Sequence, residues 1–136
     1  MGSKRIHGRW AVAAAIWMSL AWVLLTMQLG SAETGTQEVS VSAFVDSFAK
    51  FGHAALFGIL AWLLHRSLVH PRERSLGGWY FQALWAATLA AIGYGVVTEL
   101  YQGLLPHRST EFRDAVANSA GVACYALFAF CWRGKG

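Results

Sequence analysis

Four apolar stretches, each long enough to cross a lipid bilayer as a helix, constrain this chain more than any motif in it. A helix of about 20 residues, rising ~1.5 Å per residue, matches a hydrocarbon core of ~30 Å. The stretches lie near residues 10–30, 44–65, 79–104 and 111–132. The first, Trp10 to Gly30, carries no charge, and the third runs until Pro106, which cannot continue a helix. Composition agrees. Hydrophobic residues make up 56% of 136 positions and charged residues 13%, the latter about half the ~25% usual in soluble domains. The expectation is an all-α polytopic membrane protein, four transmembrane helices in a compact bundle, with residues 1–136 forming a single domain.

The basic residues give an orientation. Short cytoplasmic segments accumulate Lys and Arg. Lys4, Arg5 and Arg9 precede the first span, Arg66, Arg72 and Arg74 lie between the second and third, and Arg133 and Lys135 follow the fourth. Both termini are therefore expected in the cytoplasm. The opposite segments hold Glu33, Glu38 and Glu111 beside Arg108 and Arg113, and residues 31–43 read as an outer loop. Trp10, Trp79 and Trp132 fall at the expected inner interface, where amphipathic rings anchor. The net charge of +4 is thus explained by topology, and nucleic acid is not an expected partner. A rival reading of the first span is a secretory signal ending at Gly30-Ser31-Ala32, although its apolar run is longer than a usual signal core.

Small residues on the later spans suggest close helix packing. Ala87, Ala91 and Gly95, then Ala117 and Gly121, follow a small-xxx-small spacing. Cys124 and Cys131 lack a paired Cys-x-x-Cys spacing and read as small buried hydrophobes.

Ionisable groups inside apolar spans are costly unless they meet one another or a wet cavity, so their meeting point is the default functional site. Asp46, Lys50, His53 and Phe57 share one face of the second span; Gly95, Glu99 and Gln102 share a face of the third; Asp114, Asn118, Gly121 and Tyr125 share a face of the fourth. All the polar members fall in the outer third of the membrane, with Arg108 in the short loop above them. Each has a structural reading as well. Asp46 and Lys50 can form an acid-first i, i+4 pair, and His53 can be a hydrogen-bonded core residue. Asp114 can complement the helix dipole with Thr110 as cap. Glu99 lies about a turn inside its span and needs an internal partner. His7, His65, His70 and His107 sit in or beside polar flanks with no specific role expected.

Lys50-Phe-Gly-His53, Gly95-Val-Val-Thr-Glu99-Leu-Tyr-Gln102, Pro106-His-Arg108 and Asp114-Ala-Val-Ala-Asn118-Ser-Ala-Gly121 together resemble the VanZ-like family of small bacterial integral membrane proteins. The resemblance covers roughly residues 44–130. Ala49 and Ala54 depart from its usual pattern around the first motif. It implies a place in the cytoplasmic membrane and a link to glycopeptide (teicoplanin) resistance, but no defined reaction.

Three functional classes follow. The first is a site for an anionic envelope-lipid head group or a lipid-linked wall precursor. There Lys50 and Arg108 meet the anion, Gln102 and Asn118 supply hydrogen bonds, His53 lines the site, and Glu99 and Asp114 hold the cations. A catalytic variant makes Glu99 or His53 a general base. No cofactor is expected, and no metal signature is strong, because His53, Glu99 and Asp114 come from three separate spans. The second class is a small transporter or proton relay, which requires a polar path to the cytoplasmic side. The third is a structural partner subunit whose polar cluster sets helix register.

Overall fold

The computed structural model describes residues 8–26, 39–69, 77–105 and 112–133, with side chains described in those ranges except at 39–46 and 77. Arg108, Pro106, Ser109, Thr110, the Gly30-Ser31-Ala32 segment and the side chain of Asp46 lie outside the described residues. The described chain is all-α. Four helices follow in order: α1 (Gly8–Thr26), α2 (Val39–Leu68), α3 (Gly77–Gly103) and α4 (Phe112–Arg133). Each contains a segment long and apolar enough to cross a membrane: Gly8–Thr26, Ser47–Leu68, Gly78–Gly103 and Phe112–Trp132. A helix satisfies its backbone polar groups internally, which hydrocarbon demands of any spanning segment.

The limits of α2 depart furthest from the hydropathy reading among the described helices, since it ends at Leu68 and not His65 as well as starting early. The helix α2 begins at Val39, inside the segment expected to be an outer loop. Hydropathy marks where a span becomes apolar. Helix propagation gains one hydrogen bond per residue and can run past that point, and residues 39–51 hold neither Gly nor Pro to oppose it. At the end of α3 the chain tightens before Pro106. Leu104 N–H donates to Tyr101 O at 3.0 Å and Leu105 N–H to Gln102 O at 3.1 Å, three-residue turns that finish the helix.

The helices α2 and α3 form the middle of the bundle. Both pack against α1 and against α4, and the α2–α4 contact is the most extensive. Leu25, Phe57, Leu60, Ala61, Ala91 and Val122 make the buried core, drawn from all four helices. Ile16, Trp85, Leu89 and Phe128 point outward, as a surface solvated by lipid tails permits. Lipid tails are as apolar as the core, so burial alone does not drive these helices together; close approach and interhelical hydrogen bonds must.

Both devices are present. A Cβ built on Gly121 would lie 1.9 Å from Ala54 O and 2.8 Å from Ala54 Cα, so the α2 and α4 backbones touch where any side chain would intrude. Four aromatic or amide side chains donate across helices to main-chain carbonyls. Trp17 Nε1 donates to Leu56 O (2.9 Å), Tyr80 Oη to Ala129 O (3.1 Å), Tyr94 Oη to Met18 O (2.6 Å) and Gln102 Nε2 to Leu25 O (2.6 Å). The last has a particular logic. Leu25 falls in the final turn of α1, where carbonyls accept donors from outside the helix, and Gln102 supplies one from α3.

At the end of the bundle where α1 and α3 begin, Trp10 stacks edge-on against Trp62 at 5.4 Å. The Arg66 guanidinium lies 5.3 Å from the Trp10 ring centre. A cation and rings clustered at a helix-bundle end fit an interfacial anchor.

The cysteine expectation is overturned: Cys124 and Cys131 are exposed, not buried. The packed face of α4 runs through Asn118, Gly121, Val122 and Ala129, which places both thiols on the outward side. An apolar neighbourhood in the sequence does not separate the two sides of such a helix, because lipid and core are equally apolar.

Candidate functional site: a polar chain across three helices

The site lies at the end of the bundle where α2 and α4 begin and α1 and α3 end. Gly95 and Gly121 make it possible. A Cβ on Gly95 would press on Phe57 Cε1 at 3.1 Å and reach ordinary contact with Asn118 Cβ and Nδ2 at 3.6 Å, so α3 packs closely against Phe57 and the Asn118 amide here. Gly121, one turn along α4, holds α4 against α2 and brings Asn118 level with His53.

A continuous polar chain results. Asn118 Nδ2 donates to Glu99 Oε1 at 3.2 Å, and Asn118 Oδ1 faces His53 Nδ1 at 3.0 Å. His53 Nε2 then stands 3.8 Å from Asp114 Oδ2. The chain crosses α3, α4 and α2 and returns to α4. Its middle is deep: relative exposure is 9% for His53, 5% for Glu99 and 3% for Asn118. The Asp114 side chain, at 24%, opens the chain toward the bundle end.

Hydrogen-bond chemistry orders the chain. A carboxylate only accepts, so the amide nitrogen of Asn118 must point at Glu99 and its oxygen at His53. His53 Nδ1 therefore carries a proton and donates. In the neutral ring, Nε2 is left with its lone pair directed toward Asp114. Asp114 lies in the first turn of α4, where its charge complements the helix dipole. Glu99 and His53 are each met by the Asn118 amide, whereas with the ring neutral Nε2 and Asp114 are two acceptors and need a proton or a cation between them.

The sequence-derived candidates thus fall into distinct places. His53, Glu99, Asp114 and Asn118 meet. Lys50 sits one turn from His53 toward the start of α2, half-buried and engaged. Gln102 is buried at the same end, its amide nitrogen committed to the α1 carbonyl of Leu25. Arg108 lies outside the described residues.

Sequence reasoning missed His65. It is buried, its Nδ1 lies 2.6 Å from Tyr125 Oη, and its ring packs edge-on against Tyr80 at 4.8 Å. The available signal was the four-residue spacing of Phe57, Ala61 and His65, which continues one side of α2 for two turns, with Tyr125 seven residues after Asn118 on α4. The interface of α2 and α4 thus carries a polar pair near each end. Between them Phe57, Leu60, Ala61 and Val122 are almost fully buried and apolar.

The oxygens of Glu99 and Asp114 and a ring nitrogen of His53 all lie within 4.8 Å of one another. This arrangement can accept protons, hold a cation, or present hydrogen bonds to a polar group entering past Asp114.

No curated protein and no solved structure matches the chain. The family model VanZ/LLP1 matches residues 9–133, nearly the whole chain and all four helices. With the glycines, the amide and the carboxylates of its motifs assembled into one polar chain, this protein belongs to the VanZ/LLP1 family.

Proposed function

We propose that this VanZ/LLP1 membrane protein recognises or modifies the head group of an anionic envelope lipid or a lipid-linked wall precursor at the polar chain of His53, Glu99, Asp114 and Asn118. In this reading the protein resides in the bacterial cytoplasmic membrane with both termini inside, and the pocket faces the outer leaflet. The observation that carries it is the one-sided placement of the chain. The chain of His53, Glu99, Asn118 and Asp114 lies at one end, Asp114 opens it to that end, and a layer of Phe57, Leu60, Ala61, Ala91 and Val122 separates it from the His65–Tyr125 pair at the other.

A head group needs a pocket at the interface, whereas a conduit needs polar groups throughout. The apolar layer therefore favours recognition over transport. Lys50 on α2, with Arg108 from the sequence between α3 and α4, supplies cations for a phosphate or carboxylate. His53 and Glu99 are the candidate bases if the head group is also modified. A role in glycopeptide resistance follows from the family theme and makes lipid-linked wall precursors the first ligands to try.

Native mass spectrometry of protein released from mild detergent tests the reading. Wild type is expected to retain an anionic lipid that Glu99→Gln and Arg108→Ala lose at matched helix content. Identical lipid-free spectra from all three would refute it.

A further inference from the structure

We infer that His53 Nε2, Glu99 and Asp114 form a binding site for one divalent transition-metal ion of the Zn2+ or Mn2+ type. The warrant is geometric. A ring nitrogen of His53 and one oxygen each of Glu99 and Asp114, from α2, α3 and α4, lie within 4.8 Å of one another, a constellation no stretch of sequence holds. Zinc bonds to nitrogen and oxygen run about 2.0–2.2 Å, so two ligands of one ion sit at most ~4.4 Å apart. Side-chain shifts of about 0.4 Å close that gap. The separation of His53 Nε2 from Asp114 Oδ2, 3.8 Å, is too long for a hydrogen bond and falls inside the range that one ion spans.

The histidine is also prepared as a ligand. Metal-binding histidines characteristically donate their other ring N–H to an oxygen that fixes tautomer and ring orientation. His53 does this toward Asn118 Oδ1 at 3.0 Å, and Asn118 is itself oriented by Glu99. The lone pair of Nε2 is thereby aimed toward Asp114. Asn118 is a positioning residue here.

One imidazole and two carboxylates favour Zn2+ or Mn2+ over Mg2+ and Ca2+, which prefer oxygen throughout. Three protein ligands leave at least one coordination position open. At the open end beside Asp114, that position faces the bundle end. A bound ion would also change the character of the site, since two carboxylates at the heart of a pocket repel an anionic head group. A divalent cation cancels their charge and presents a phosphate-binding centre. That last role rests on the head-group reading; binding of the ion does not.

The test uses tag-free protein stripped with chelator in mild detergent, carrying Cys124→Ser and Cys131→Ser so that neither thiol binds metal. Titration with Co2+ followed by absorption, and displacement by Zn2+, should reveal one site per chain. Asp114→Asn and His53→Gln should each weaken it at least ~100-fold, and Asn118→Leu by about 10–100-fold, as loss of an orienting partner does. X-ray absorption of the Zn2+-loaded protein with all four helix-site residues intact should show one imidazole nitrogen with oxygen ligands. Absence of stoichiometric binding, or a shell of two or more imidazoles, overturns the inference even if a variant fails to fold. Lipid retention by metal-free protein that binds no ion would refute this site alone. An ion held as described, with no lipid in native spectra, would refute the head-group reading alone.

Discussion

Replacing Gly121 with alanine should part α2 from α4 and break the polar chain. The added methyl carbon would sit 1.9 Å from Ala54 O, 2.6 Å from Ala54 C and 2.8 Å from Ala54 Cα. All three are backbone atoms, so no rotamer can yield. Bringing the shortest contact to 3.0 Å requires the two helices to separate by about 1.1 Å. His53 adjoins Ala54, and Asn118 lies three residues before Gly121, so the displacement is felt at their 3.0 Å hydrogen bond. A bond stretched to about 4 Å is lost.

Overpacking costs roughly 1–3 kcal/mol and a buried polar group deprived of its partner another 1–3 kcal/mol. The expected loss is therefore about 2–6 kcal/mol, against less than ~1 kcal/mol of either sign for Gly93→Ala, whose Cβ would meet nothing within 4 Å. Unfolding by SDS titration, followed by tryptophan fluorescence, compares the two variants in one assay. The reasoning fails if Gly121→Ala unfolds at the same SDS fraction as Gly93→Ala.

Three further outcomes are expected. Phe57→Ala leaves a cavity beneath the polar chain and, with lipid replacing water as the outside medium so that the cavity term dominates, should cost about 1–3 kcal/mol in the same SDS titration. Gln102→Leu deletes the donor to Leu25 O and should cost about 1–2 kcal/mol; hydrogen exchange should speed at the end of α1 while lipid retention in native spectra persists. Because Cys124 and Cys131 face outward, their joint replacement by serine should shift stability by less than ~1 kcal/mol, and both thiols of the wild type should label with an apolar maleimide in the folded protein.

The local periodicity of the motifs made much of the candidate site legible. His53 and Lys50, Glu99 and Gln102, and Asp114 and Asn118 each fall on one helix face by spacing alone, and span order puts all six at one end. What spacing does not carry is partner choice. Gln102 and Asn118 are both amides expected to serve the same ligand, yet Gln102 spends its nitrogen on an α1 carbonyl while Asn118 links Glu99 to His53. His65 looked like a flank residue because Arg66 follows it, but α2 continues to Leu68 and carries it into the α2–α4 seam.

The sequence by itself determined the four spans, their approximate limits, the polar faces and the family motifs, because hydropathy and helical period are local properties. The tertiary structure decided how far each helix is rotated about its axis. In a water-soluble helix that rotation is written as a contrast between apolar and polar sides. Here lipid and core are both apolar, so the contrast disappears, and rotation is set where backbones can touch, at Gly121 on Ala54. That contact turns Asn118 toward His53 and turns Cys124 and Cys131 outward, while the close approach at Gly95 sets α3 beside them, so that side chains from three helices meet at one point.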